Sequence, residues 1–192
     1  MVNQTEQKDE EVVLCVLEGD KESFGILIER YEAKLTRYLR RFTQIEEDIS
    51  DLLSVVFIKA YSNLFGFDRS RSFNSWIYRI AHNEAVNYLK KRSSQKVSFI
   101  DFDTLLPHLF AEEESHTLAE KEEIRTLLEK SLKSLSLKYR EVLVLYYFDD
   151  LSYEEIGDVL HIPTSTVGVR IKRGKDALKK ELHNNHYLYD RN

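Results

Sequence analysis

One cysteine, two prolines and six glycines stand among the 192 residues of this chain, and each shortage closes off a class of protein. A single thiol, Cys15, excludes a disulfide-stapled scaffold and a cysteine-built zinc site, and it suits a reducing compartment. With Pro107 and Pro163 as the only prolines and so little glycine, the turn chemistry of a β-rich chain is missing, so the sequence predicts mostly helix. Long apolar runs are missing as well. The longest, Val142–Phe148, is seven residues, against about 20 for a helix that spans a bilayer. Met1–Glu11 is polar and acidic, without the basic start and apolar centre of a secretory signal. These absences together predict a cytoplasmic protein with no direct membrane insertion.

Catalytic signatures are equally scarce. There is no Gly-rich phosphate loop and no G-x-S-x-G elbow. His82 and Glu84 are not followed by a second histidine at the spacing of a zinc-protease helix, and His183 and His186 share a face only in a polar tail. The expectation is a protein that is not an enzyme, with no catalytic residue, no cofactor and no metal site.

What the chain does have is helical periodicity. Phe24, Leu27, Ile28, Tyr31, Leu35, Tyr38, Leu39 and Phe42 recur three and four residues apart. So do Ile49, Leu52, Leu53, Val56, Phe57, Ala60, Tyr61 and Leu64, and again Phe73, Trp76, Ile77, Ile80, Ala81, Ala85, Tyr88 and Leu89. Each series is one buried stripe on a helix. With a shorter helix over Glu11–Leu17, they predict an N-terminal bundle over residues 11–92. A second helical domain is predicted over 118–183, with series such as Val142, Leu143, Leu145 and Tyr146, then Ile156, Val159 and Leu160, then Val167, Ile171, Leu178 and Leu182. The fold class is therefore all-α, two small helical domains, with a frayed tail after 183. Between them, residues 93–117 lose the periodicity. From Val97 to Glu120 there are six carboxylates and no Lys or Arg, yet Phe99, Ile100, Phe102, Leu105, Leu106, Leu109 and Phe110 are too apolar for an idle spacer. This acidic linker either docks on a basic, partly apolar surface or packs on the chain's own domains.

The most specific local pattern is Leu151-Ser152-Tyr153-Glu154-Glu155-Ile156 running to Ile162-Pro163-Thr164-Ser165-Thr166-Val167. Ser152 with Glu155 is a capping box that starts a short helix. Pro163 disfavours helix at Ile162, and Thr164 is suited to cap the next one. Two helices across a tight break, the second basic, form a helix-turn-helix. Thr164–Leu182 holds Arg170, Lys172, Arg173, Lys175, Lys179 and Lys180 against Asp176 and Glu181, a local charge of +4. Spacing places Thr166, Val169 and Arg173 on one face with Lys172 beside them, as candidate readers of base edges, and Arg170 as a phosphate contact. The plainer reading of the same helix is a solvated amphipathic element in a bundle.

A second basic concentration lies in Arg69–Lys96: Arg69, Arg71, Arg79, Lys90, Lys91, Arg92 and Lys96 against Glu84 alone, a local +6. Phe67, Phe73, Trp76, Tyr78 and Tyr88 are interleaved with Asn74, Asn83 and Asn87. Cations follow phosphates, aromatics stack on unpaired bases and amides read base edges, a mixture suited to melting DNA. The competing reading is that some of these rings, Phe73 and Trp76 first, are core.

Three segments in this order resemble the extracytoplasmic-function (ECF) sigma factors, two-domain bacterial transcription initiation factors. Phe73-Asn74-Ser75-Trp76-Ile77-Tyr78-Arg79-Ile80-Ala81-His82-Asn83-Glu84-Ala85-Val86-Asn87-Tyr88-Leu89 is similar to the segment that melts and reads the minus-ten element. Asp51-Leu52-Leu53-Ser54-Val55-Val56-Phe57-Ile58-Lys59-Ala60-Tyr61 resembles the helix that docks on the polymerase β′ clamp. Tyr139-Arg140-Glu141-Val142 with Leu151–Ile156 is similar to the domain that binds the minus-thirty-five element. The resemblance covers about residues 11–182. It implies core RNA polymerase (β′ clamp and β subunits), promoter DNA and an anti-sigma protein as partners, and an acidic linker that threads the polymerase's positive channel. It assigns polymerase contact to Asp48, Asp51, Leu52, Val56, Phe57 and Tyr61. It assigns the minus-ten element to Arg71, Asn74, Arg79, Asn83, Asn87, Lys90, Lys91 and Arg92, with Asn83 at a base pocket. The minus-thirty-five element falls to Ser165, Thr166, Val169, Arg170, Lys172 and Arg173. Ser54 and Val55 depart from the family's usual Gln and acid, and Gly168 and Val169 from its usual basic and small polar pair. The rival reading is a two-domain regulator that binds an operator without polymerase.

Overall fold

The computed structural model describes residues 7–92 and, except for 129 and 133, residues 127–184. The linker 93–117, the start of the second domain and the tail beyond 184 lie outside the described residues. The described residues fall into two compact units, one chiefly of residues 7–92 and the other chiefly of residues 127–184.

In the first unit, α1 (Asp9–Leu17) opens on Asp9, Glu10 and Glu11, whose charges suit a helix N-terminus. It begins two residues before the predicted start. Gly19 follows at φ +116°, a conformation costly for any residue with a Cβ, and Asp20 accepts from Ser23 to shape a single 3₁₀ turn. Then come α2 (Phe24–Leu39), α3 (Glu46–Asn63) and α4 (Phe73–Lys91). Each buries the centre of the stripe that its periodicity marks, Leu27, Tyr31, Leu35 and Tyr38 on α2, Ile49, Leu52, Val56 and Ala60 on α3, Phe73, Ile77, Ala81 and Ala85 on α4, while Tyr61 is exposed and Tyr78 joins the core.

The core is aromatic at its centre. Tyr31 and Phe73, Tyr38 and Tyr78, and Phe67 and Phe73 meet edge to face with ring centroids 5.3–5.7 Å apart, the arrangement that ring quadrupoles favour. Two polar ties fasten α1 to this core. Asp9 takes the Tyr31 hydroxyl at 2.5 Å and Arg30 at 2.6 Å. Glu10 Oε1 accepts the backbone N–H of Phe73 at 2.9 Å. Ser72 does not cap α4 with its side chain, so a carboxylate from a distant helix satisfies one of its orphan donors.

In the second unit, helical residues at 127–128, 130–132 and 134 precede α5 (Leu137–Tyr147), followed by α6 (Tyr153–Leu160) and α7 (Thr164–Asn184). Leu132, Leu143, Ile156, Val159, Val167 and Ile171 form its core. All the regular structure among the described residues is helical.

His82 offers a pH probe of the first unit. Its Nδ1 lies 2.9 Å from the Tyr38 hydroxyl, and burial holds its pKa down at about 4. A base with a depressed folded pKa stabilises fully above its unfolded value of about 6.5 and loses that contribution as pH falls towards the folded value. Trp76 is the only tryptophan, so its fluorescence reports this unit alone. Unfolding followed at Trp76 should show a loss on the order of 2 kcal/mol between pH 6.5 and about 4.5, and His82→Gln should flatten that dependence.

Candidate nucleic-acid and polymerase interface

α3 and α4 run antiparallel and share one core, and this decides which of their residues a partner can reach. On α3, Leu52, Val56 and Phe57, assigned above to polymerase contact, face inward; Val56 is 0% exposed. Their apolar character is accounted for by the core they build. The outward face is Asp51, Val55, Ile58 and Ser62, spaced four, three and four residues apart. Ile58 is 64% exposed, and Phe65, in the 3₁₀ turn that follows, is 90% exposed. Tyr61 is partly exposed, with its ring edge against Phe24. Asp48 points to α4: its Oδ2 accepts from the Tyr88 hydroxyl at 2.7 Å and from Arg92 Nη1 at 2.9 Å.

Arg92 is exposed and at the same time engaged at the seam between the helices, where it bonds Asp48 and lies over the Tyr88 ring. The interleaved aromatics are engaged as well. Phe67, Phe73 and Tyr78 are buried in ring-to-ring contacts, and Tyr88 is tied to Asp48 and Thr43. Phe73 and Tyr78 lie on the inward face of α4 and Phe67 in the loop before it, so these three rings are core. Trp76 is half-buried, packed on Phe67 and Phe73. The solvent face of α4 instead carries Asn83, Asn87, Lys90 and Lys91, all exposed, with Arg79 and Asn74 half-buried and Arg71 exposed in the turn before it. This is a stripe of amides and cations, the donor chemistry for phosphates and base edges.

In the second unit the capping box forms as predicted: Ser152 N–H donates to Glu155 Oε2 at 2.9 Å and Glu155 N–H to Ser152 Oγ at 3.2 Å. The break after α6 is a Schellman turn. Ile162 N–H bonds back to the Gly157 carbonyl at 3.0 Å, with His161 left-handed at φ 53°. Gly157 is needed for close approach, since a Cβ there would lie 2.9 Å from the Ile162 carbonyl oxygen. Thr164 does not cap α7. It is the first helical residue, and the Pro163 carbonyl takes the first N–H bonds, from Thr166 and Val167.

On α7, Val167 and Ile171 are core; of the predicted face, Val169, Arg173 and the flanking Lys172 are exposed, and Ser165 is exposed beside them. Thr166 is half-buried. Arg170 is half-buried and acts electrostatically on Glu141, whose pKa burial raises and whose neighbours Arg170 and Arg140 pull back down. Gly168 lies against the Tyr153 ring, 3.5 Å from where its Cβ would be.

Two family models match the chain at these places, Sigma-70 region 2 over residues 27–95 and Sigma-70 region 4 over residues 125–178. The ECF RNA polymerase sigma factor SigW of Bacillus subtilis is 34% identical over 174 residues, 87% of this chain and 92% of that protein. The chain belongs to the ECF sigma factors. The RNA polymerase sigma-H factor of Pseudomonas aeruginosa is 31% identical, over 93% of this chain and 95% of its own. Among solved structures, CnrH in complex with the cytosolic domain of CnrY matches with a TM-score of 0.65 at 25% identity, covering 92% of this chain and 97% of that one. As a sigma factor, the chain is a transcription initiation factor, and the operator-binding regulator that works without polymerase is set aside. Sigma factors are non-enzymatic.

The left-handed residue in the helix-turn-helix of this sigma factor gives a direct test. A side chain with a Cβ costs about 1–2 kcal/mol at such a position, most for a β-branched one, and glycine's greater unfolded-state entropy offsets part of that. Thermal unfolding by circular dichroism should rank His161→Gly at or above the natural chain, by up to about 1 kcal/mol, and His161→Val clearly below it.

Proposed function

We propose that this sigma factor divides initiation among three exposed helix faces. The outer face of α3, Asp51, Val55 and Ile58 with Tyr61 and the following Phe65, docks core polymerase. The amide and cation stripe of α4, with Arg71 in the turn before it, captures single-stranded minus-ten DNA, with Asn83 at a flipped base. The outward face of α7, Ser165, Thr166, Val169, Lys172 and Arg173, meets the minus-thirty-five element, with Arg170 on a phosphate. Residues 11–92 and 118–183 act as the two domains and 93–117 as the acidic linker, and the protein works in the cytoplasm.

The observation that carries this reading is a difference in surface chemistry between two helices that share one core. α3 shows solvent Val55 and Ile58, whereas α4 shows Asn83, Asn87, Lys90 and Lys91. An exposed apolar face suits a protein partner, and an amide and cation face suits nucleic acid. Anti-sigma control is supported by likeness of fold: the sigma factor RpoE of Bartonella quintana, TM-score 0.62, was solved in complex with the anti-sigma factor NepR.

Run-off transcription from genomic fragments with core polymerase tests the whole reading. Promoter-specific transcripts that need both components are expected, while footprinting of closed duplex by the chain alone, without core binding, would contradict it. Ile58→Glu should lower affinity for core polymerase at least tenfold, on the order of 1.4 kcal/mol for a charge forced into an apolar contact, with helicity unchanged. Asn83→Ala should leave core binding intact and reduce permanganate reactivity of the opened promoter; unchanged opening removes Asn83 from the site.

A further inference from the structure

Glu84 is the single carboxylate in the basic segment Arg69–Lys96, and it sits beside the stripe assigned to DNA. It follows Asn83 directly and lies one helical turn before Asn87 and two before Lys91, so it borders their face. An unpaired negative charge there would repel the phosphates that the stripe must hold. The structure shows it paired. Lys59 Nζ, reaching across from α3, lies 2.6 Å from Glu84 Oε1, and Glu84 is only 15% exposed in its side chain while Lys59 stays 48% exposed.

We infer that Lys59 is a positioning residue for promoter capture: it neutralises and holds Glu84 at the edge of the α4 stripe, so that the helix presents amides and cations to single-stranded DNA. The inference rests on the reading of α4 given above. Lys59 lies on the α3 edge that faces α4, in line with Asp48 eleven residues earlier, whose partners are Tyr88 and Arg92. The two ties have different consequences. Asp48 locks cations and hydroxyls into the seam, whereas Lys59 cancels the one charge of the wrong sign. Lys59 thus contributes to DNA affinity from a helix that itself does not carry the DNA stripe.

The test uses the full chain assembled with core polymerase and a random-sequence single-stranded oligonucleotide pool, because the phosphate contribution does not depend on sequence. Lys59→Met should weaken binding roughly fivefold at low salt, the order of one surface charge. It should also make the slope of log affinity against log salt shallower by about 0.7, the value of one phosphate on a single strand. Lys59→Met combined with Glu84→Gln should restore both the affinity and the slope, and Glu84→Gln alone should bind as tightly as the natural chain or tighter. A purely structural role for the pair would change the thermal midpoint and the active fraction but leave the slope where it was. The inference is overturned if Lys59→Met keeps the natural slope, or if the double variant stays as weak as the single one, which would make Lys59 a direct DNA contact. A natural holoenzyme with no salt-dependent affinity for the pool would overturn the α4 reading, and this inference with it.

Discussion

The packing of α3 against α4 is the constraint on which the functional surface depends. Each helix gives one stripe to a common core, Ile49, Leu52, Val56 and Ala60 from one and Phe73, Ile77, Ala81 and Ala85 from the other. What remains is a narrow outer face on each, and those faces differ in chemistry. Along one edge of the seam two polar ties fix the register: Asp48 with Tyr88 and Arg92, and Lys59 with Glu84. The interior rings, from Tyr31 through Phe73 to Phe67, stiffen the pair from below. On the proposed reading, this surface holds a protein and a melted DNA strand at once and gains from such rigidity, because each partner then meets a preformed face.

The second unit solves a related problem with less material. A capping box opens α6, a Schellman turn closes it, and the Pro163 carbonyl starts α7 at once. These local bonds satisfy helix-end groups in a stretch too short to bury much core, and they set the outward face of α7. Gly157 permits the close approach, while His161 takes the left-handed position that glycine occupies most easily.

Much of this was legible in the sequence. Periodicity located every helix from Phe24 to Lys91 to within three residues, and the Ser152, Glu155 and Pro163 pattern located the helix-turn-helix, because both signals are local. The assignment of faces to partners was not so readable. On α3 the periodic series already marks Leu52, Val56 and Phe57 as the buried stripe, and it was the resemblance that gave them to polymerase contact; Val55 and Ile58 lie on the outer face. The i, i+4, i+7 spacing from Asp51 was the available signal. Arg92 and Asp48 find each other across 44 residues of chain, as Glu10 finds the start of α4 across 63. Such pairings depend on tertiary packing and leave no mark in local sequence.

The net charge of −5 reads differently once it is divided. Two basic segments, +6 over Arg69–Lys96 and +4 over Thr164–Leu182, stand on an otherwise acidic chain; on the proposed reading, the acidic remainder opposes DNA binding by bulk charge and the basic faces gain from delivery by a partner. The central claim is that neighbouring helices of one small unit serve two different macromolecules. Site-specific photocrosslinking in an open promoter complex tests it most directly, with a photoreactive residue at position 58 in one preparation and at 83 in another. The account predicts that position 58 labels polymerase and position 83 labels the non-template strand. DNA labelled from 58, or polymerase alone labelled from 83, would contradict it.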